Sequence, residues 1–311
     1  MKALVGGVVG LAAVSLLVGA AGFGVPDGLI LWQLRVPRTG LALLVGAGLG
    51  LSGAVLQGVL RNPLADPGFL GVGGCAALGA VCVFYWGLSA RFGPALPLGG
   101  LVGATIGCGA LLLIFARARS GPGLILAGVG VSAIAAALLS LVLSLAPNPF
   151  ALYEISFWLM GGLEDRTLMH LALAVVPIAL GCVVLLRLGP GLDALSLGED
   201  TAASLGVSVQ RTLLLAVVGV SLAVGAGASV AGGIGFVGLV VPHLLRPWLG
   251  ERPGALLAPS LVLGAGLLLA ADVLARAAPL VLPLSAEPRL GVLTALLGAP
   301  FLVAIARRAG P

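Results

Sequence analysis

The chain has 311 residues, of which 60% are hydrophobic and only 9% charged, with a mean hydropathy of +1.21. A soluble domain carries about 25% charged residues and a disordered chain is poor in apolar ones, so both classes are excluded. At ~20 apolar residues per bilayer span, ten spans use about two thirds of the chain and leave no room for a soluble catalytic domain. The composition predicts an all-α polytopic membrane protein, a single transmembrane domain over residues 1–311. The net charge of +5 is spread without any basic run, which points to a lipid bilayer and not to nucleic acid.

The first apolar run, Ala3 to Pro26, is longer than a signal-peptide core and reads as a first spanning helix. Further runs follow at Thr39 to Leu60, Gly68 to Ala90, Phe92 to Ala116 and Ser120 to Tyr153, then Thr167 to Leu186, Thr212 to Leu245, Pro253 to Ala271 and Leu290 to Ala306. The 34-residue run from Thr212 divides at Gly232-Gly233, which gives ten spans. In the run from Ser120, Pro147 and Pro149 end the helix near Leu145 and leave an irregular outer tail. Ten spans put both termini on one side. With Lys2, Arg307 and Arg308 inside, the inner face also holds Arg61, Arg117, Arg119, Arg187, Arg211, Arg246 and Arg252. The outer face has Arg35, Arg38, Arg91, Arg166, Arg276 and Arg289, a smaller set that agrees with the positive-inside rule. Glycine is 50 of 311 residues, about twice its usual share, and small residues recur at i, i+4 in Gly46/Gly50/Ala54, Gly99/Gly103/Gly107 and Gly128/Ser132/Ala136. Each stripe predicts a groove in which a neighbouring helix approaches closely.

Energy-harvesting chemistry is not written in this chain. Its single lysine, Lys2, excludes a P-loop, which needs lysine at the phosphates. His170 and His243 lie far apart with no clustered carboxylates, so no metal site or catalytic residue is predicted. His243 reads as a hydrogen-bonding group near an inner helix end. Cys75, Cys82, Cys108 and Cys182 sit in apolar runs as packing residues. The span centres lack formal charge, which counts against an ion-coupled secondary transporter, the rival reading. A structural subunit of a redox complex would need histidine pairs that this chain lacks. Asp272 and Arg276, four residues apart toward a helix end, can pair with each other.

Four stretches carry specific information: Trp32-Gln33-Leu34-Arg35-Val36-Pro37-Arg38; Gln57 through Arg61-Asn62-Pro63-Leu64-Ala65-Asp66-Pro67 to Gly71; Leu195 through Gly198-Glu199-Asp200 to Gly206-Val207; and Ala231 through Gly235-Phe236 to Pro242-His243, continued by Ala271-Asp272, Arg276 and Pro300-Phe301. In the third, the polar inner loop 187–211, Glu199 and Asp200 make an acidic first turn and Gly206 a C-terminal cap, predicting a two-turn helix too short to span. Asn62-Pro63 after Arg61 predicts a turn that closes the second helix. Glu154, Glu164 and Asp165 read as a solvated acidic face.

From about Leu29 to Ile305, in order and spacing, these stretches resemble the FecCD-type permeases of ATP-binding-cassette importers for iron-siderophores, heme and cobalamin. The resemblance implies a homodimer or close heterodimer of ten-helix subunits in the bacterial cytoplasmic membrane, with both termini cytoplasmic. It implies two cytoplasmic ATPase subunits, which hold the ATP and Mg, an outside solute-binding protein, and no cofactor on this chain. A path lined by the fifth and last helices would carry the chelate, with ferric siderophore as the leading class. Gly198, Glu199, Ala202, Leu205 and Gly206 would shape or make the ATPase coupling contact. Arg35, Arg38 and Arg276 would dock the binding protein, and Arg61, Asn62 and Pro63 would form the inner structural turn. Two departures stand out: Glu287-Pro288-Arg289-Leu290-Gly291 replaces the family's Glu-Leu-Pro-(Val/Ile)-Gly before the last helix, and the N-terminus lacks the longer polar leader of relatives.

Overall fold

A computed structural model describes residues 1–19, 22–88, 92–118, 121–145, 149–284 and 286–308, with the side chains of 118, 121, 149–151, 154 and 304–308 left aside. Arg91, Arg119 and the Pro147-Asn148 interruption lie outside the described residues, as do the side chains of Glu154, Arg307 and Arg308. Below, inner and outer follow the orientation set by the arginine count.

The helices are α1 (Lys2–Leu17), α2 (Gly28–Leu60), α3 (Val72–Tyr85), α4 (Ala95–Ala118), α5 (Gly121–Ser144), α6 (Pro149–Leu159), α7 (Leu168–Leu186), α8 (Gly189–Leu195), α9 (Glu199–Ser204), α10 (Val209–Ala231), α11 (Val237–Leu249), α12 (Pro253–Val281) and α13 (Leu290–Arg308). A two-residue hairpin, β1 (Val18–Gly19) with β2 (Gly22–Phe23), follows α1. Among the described residues, six helices are long and apolar enough to cross a bilayer, and α1, α3, α11 and α13 supply shorter apolar ones. Together these match the ten expected spans.

Three short elements depart from the sequence reading, and each has a local cause. The first helix stops at Leu17, where the hairpin takes over. The outer tail after α5 is helical, not irregular: Pro149 occupies the first turn of α6, where its missing N–H is no loss. The chain after α2 climbs back into the bundle. Pro67 is buried, and a Cβ on Gly238 would lie 2.6 Å from its Cδ. Consequently α3 begins inside the bundle and needs only 14 residues, about 21 Å, to reach the outer side.

α2 is the axis. Its apolar window is 83% buried, and it packs along α12 over the longest seam in the fold while also touching α7, α10 and α11. The Gly46/Gly50 stripe creates that seam, since a Cβ on either residue would run into the backbone of Ser260 or Gly264. The Gly99/Gly103/Gly107 stripe receives α3 at Cys75, Gly79 and Val83. The third stripe receives a turn: Gly128 faces the carbonyl of Phe69, and Ser132 faces Gly71, both in or beside the 3-10 turn Pro67–Leu70. α5 and α13 are held loosely by comparison. The α5 window is only 22% buried, and α13 presents Leu296, Leu297 and Val303 outward.

Candidate functional site

At the outer side, the three arginines of the expected docking set are all engaged within the subunit. The last four carbonyls of any helix lack intrahelical donors. In α1 every one is answered: Val14 O by Val18 N–H, Ser15 O by Arg276 Nη1 at 2.7 Å, Leu16 O by Arg35 Nη1 at 2.7 Å, and Leu17 O by Gly24 N–H at 2.9 Å. Arg276 Nη1 also donates to Val18 O, and its Nη2 to Ser15 Oγ at 2.6 Å. Arg35 reaches Gly24 O as well. Two cations drawn from elsewhere in the sequence thus sit at the negative end of the α1 dipole. Arg276 is 3% exposed, so a contact with a separate protein would require it to leave these partners.

The same guanidinium pairs with Asp272 at 2.9 Å, which meets the i, i+4 expectation. Arg38 joins from α2, donating Nε to Asp272 Oδ1 at 2.8 Å and Nη2 to Glu287 Oε2 at 2.7 Å. The backbone prepares this placement. Residues Leu31–Arg35 widen into a π-turn, with Val36 N–H returning to Leu31 O, which relieves the clash that Pro37 would otherwise make with the preceding turn. Glu287 was not foreseen as a partner of Arg38, and only its place before the last helix marked it out.

Beside this network, Arg289 ties the start of α13 to the α6–α7 connection. It pairs with Glu164, and its guanidinium carbon lies 4.5 Å from the centroid of Phe157. Burial pushes the Glu164 carboxyl up, and Arg289 pulls it back. Glu164 is therefore an internal partner and not part of a solvated face, whereas Asp165 is exposed at φ 55°. Glycines allow the three backbones to meet: Gly291 packs against Gly233 O and Met160 O, and Gly232 against Trp158 O. Below this knot runs an apolar groove of about 1170 Å³ between Leu159-Met160 and the α13 face of Val292, Ala295, Leu296, Ala299 and Val303. A second cavity of about 300 Å³ lies behind Leu159 and Gly233, lined by Asp66, Val45, Val224 and the broken segment 232–236. Gly232 at φ 70° and Phe236 at φ 66° make that break, as Gly232-Gly233 predicted. Non-helical backbone at this depth is tolerated because it is enclosed by protein.

At the inner side α2 ends in a Schellman-type cap, with Asn62 N–H bonding Gln57 O and Arg61 N–H bonding Gly58 O around Arg61 at φ 47°. Asn62 Oδ1 then accepts from Leu64 N–H and Asp66 Oδ1 from Gly68 N–H, which fixes the turn. Arg61, Asn62 and Pro63 share a polar cavity of about 270 Å³ with Gln57, Ser196, Arg246 and Glu251. Arg246 is its hub. Nη2 donates to Gln57 Oε1 at 2.6 Å, Nη1 lies 3.0 Å from His243 Nδ1, and Nε is 3.1 Å from Glu251. His243 thus hydrogen-bonds near the inner end, as the sequence suggested, and presents its ring edge-on to Phe301 of α13.

The inner loop folds as two short helices, α8 and α9, of which the sequence reading anticipated only the second. Asp193 fastens α8 to the start of α12, accepting from Gly254 N–H at 2.7 Å and from Arg252 Nε at 2.8 Å. α9 starts at Gly198 (φ 108°), carries Glu199 and Asp200 in its first turn, and ends with Gly206 at φ 82°. Gly206 N–H bonds Ala203 O and Val207 N–H bonds Ala202 O, both at 3.0 Å. Of the expected coupling residues, Ala202 is fully buried and anchors the helix, while Leu205 is 62% exposed; Leu197, which the sequence reading passed over, is 65% exposed. Two apolar side chains therefore project from a pinned two-helix unit.

The family model described as the FecCD transport family matches residues 5–308. The chain is 39% identical over 278 residues to the vitamin B12 import system permease protein BtuC of Klebsiella pneumoniae, covering 88% of this chain and 81% of that one. It is likewise 39% identical over 284 residues to the ABC transporter permease protein YvrB of Bacillus subtilis, covering 89% and 78%. Among solved structures, an inward-facing transporter described as of metal-chelate ABC type superposes with a TM-score of 0.88 at 34% identity, over 99% of this chain and 98% of that one. PsaBC from Streptococcus pneumoniae shares the fold, with a TM-score of 0.59 at 16% identity over 89% and 92%. Matched by the family model over residues 5–308 and by relatives over most of its length, the chain belongs to the FecCD transport family of ABC importer permeases.

Proposed function

We propose that this chain is the membrane-spanning subunit of an importer for a large metal chelate, working as a dimer by alternating access and driven by separate ATPase subunits. The observation that carries the proposal is the pinned α8–α9 unit, whose exposed Leu197 and Leu205 suit insertion into a partner on the inner side. The poorly buried α5 and the outward apolar face of α13 suit a second subunit and a path between the two. Apolar walls fit a bulky solute that must be released, because a tight site would trap it. Arg35 and Arg38 remain the accessible candidates for docking a solute-binding protein on the outer side, with Arg276 as the buried brace behind them.

For the cargo, ferric siderophore is the class read from sequence, and the similarity to a vitamin B12 permease favours cobalamin as a second reading. Uptake of radiolabelled cobalamin and of radiolabelled ferric siderophores, in cells with and without this chain, separates the two. The transport reading itself is tested in proteoliposomes. Accumulation must require the ATPase subunits and ATP, and accumulation by this chain alone would overturn it.

A further inference from the structure

Arg38 divides its guanidinium between two carboxylates of different standing. Asp272 is 1% exposed and is gripped from its other side by Arg276, so withdrawing Arg38 from it would leave buried charge poorly compensated. Glu287 is 15% exposed and belongs to the non-helical connection between α12 and α13. Arg38 is itself 14% exposed, and its Nη2 faces the accessible carboxylate. A carboxylate arriving from outside therefore reaches Arg38 Nη2 by taking the place of Glu287. The exchange swaps one charge-assisted contact for another and leaves the arginine paired throughout.

The geometry points to Glu287 as a built-in competitor for the docking surface: an acidic side chain of the solute-binding protein displaces Glu287 from Arg38, and the displaced residue frees the connection leading into α13. The inference rests on the docking reading above and adds to it a residue that sets affinity. Docking strength becomes the difference between two ion pairs, which keeps the surface from holding its partner indefinitely. Because Arg289 still fastens the start of α13 to Glu164, the released stretch is confined to the residues between α12 and that anchor.

The test uses the permease–ATPase complex in lipid nanodiscs, titrated with the substrate-loaded solute-binding protein of the same importer. Glu287→Gln is expected to dock about tenfold more tightly, a factor equal to about 1.4 kcal/mol. Arg38→Gln is expected to dock at least tenfold more weakly, and the double variant no more tightly than Arg38→Gln alone. Glu287→Ser, checked for monodispersity, repeats the measurement with a shorter side chain. If both Glu287 variants dock no more tightly than the parent while Arg38→Gln weakens docking, the competitor role is overturned and the docking reading stands. If Arg38→Gln leaves docking unchanged, the docking reading fails at this residue and the competitor role fails with it.

Discussion

Arg276 does three jobs with one guanidinium: it neutralises Asp272, closes two carbonyls at the end of α1, and holds Ser15 Oγ. Arg276→Ala is expected to cost about 3–5 kcal/mol, the usual consequence of breaking a buried pair, and to lower the thermal unfolding midpoint of the purified protein. Arg276→Lys should recover only part of that loss, because an ammonium lacks the planar fork that spans separate acceptors. Arg61 offers the opposite case. At φ 47° a side chain costs roughly 1 kcal/mol that glycine does not, so Arg61→Gly should raise the melting midpoint slightly. A fall in ATPase stimulation in the same variant would then report lost contact and not lost fold. At this scale the sequence reveals what is near in the chain. The i, i+4 spacing announced Asp272–Arg276, whereas Arg38–Glu287 and Arg276–Ser15 join residues about 250 positions apart, and only packing brings them together.

Among the elements, the α2–α12 seam depends on the absence of side chains. Gly50→Val places methyl groups against the Ser260 carbonyl and the Gly264 backbone, and overpacking of this kind costs about 1–3 kcal/mol. The loss should be read as reduced monodisperse yield and a lower melting midpoint, with substitution at Gly109, which meets nothing within 4 Å, as the silent comparison. The α8–α9 unit separates along its two faces. Ala202→Leu should destabilise, because that site is fully buried, whereas Leu205→Asp should leave melting unchanged and abolish coupling between ATP hydrolysis and uptake. Apolar length made the ten spans legible in advance. What composition could not reveal is where the chain re-enters the bundle: the stretch from Gly68 to Gly71 is as apolar and glycine-rich as the span it leads into, so the shortness of α3 was hidden. α8 was hidden as well, since it opens with Gly189-Pro190-Gly191, which reads as a loop until Asp193 is seen holding Gly254.

Across the whole molecule, α2 is a buried rod with a polar clamp at each end, Asp272 and Glu287 around Arg38 outside, and Arg246 on Gln57 inside. With α10 and α12 packed along it, it makes the centre of the subunit, while α5 and α13 turn much of their apolar surface away from it. Local opening follows contact density, so backbone amides of α13 should exchange with deuterium faster than those in the centre of α2 in the intact complex. Equal protection of the two helices would remove the division between frame and moving part.

The capping of α1 has a consequence for how the chain comes into being. α1 cannot finish its own end while it is being made: Leu16 waits for Arg35, and Ser15 and Val18 wait for Arg276, about 260 residues further along the chain. Until translation reaches the ninth span, the Ser15 and Val18 carbonyls lack their donor, and Arg276 acts as a completion check on the assembly of all that lies between. A chain halted before residue 276 should leave a cysteine placed at Val18 open to labelling, where the chain carried past Arg276 buries it.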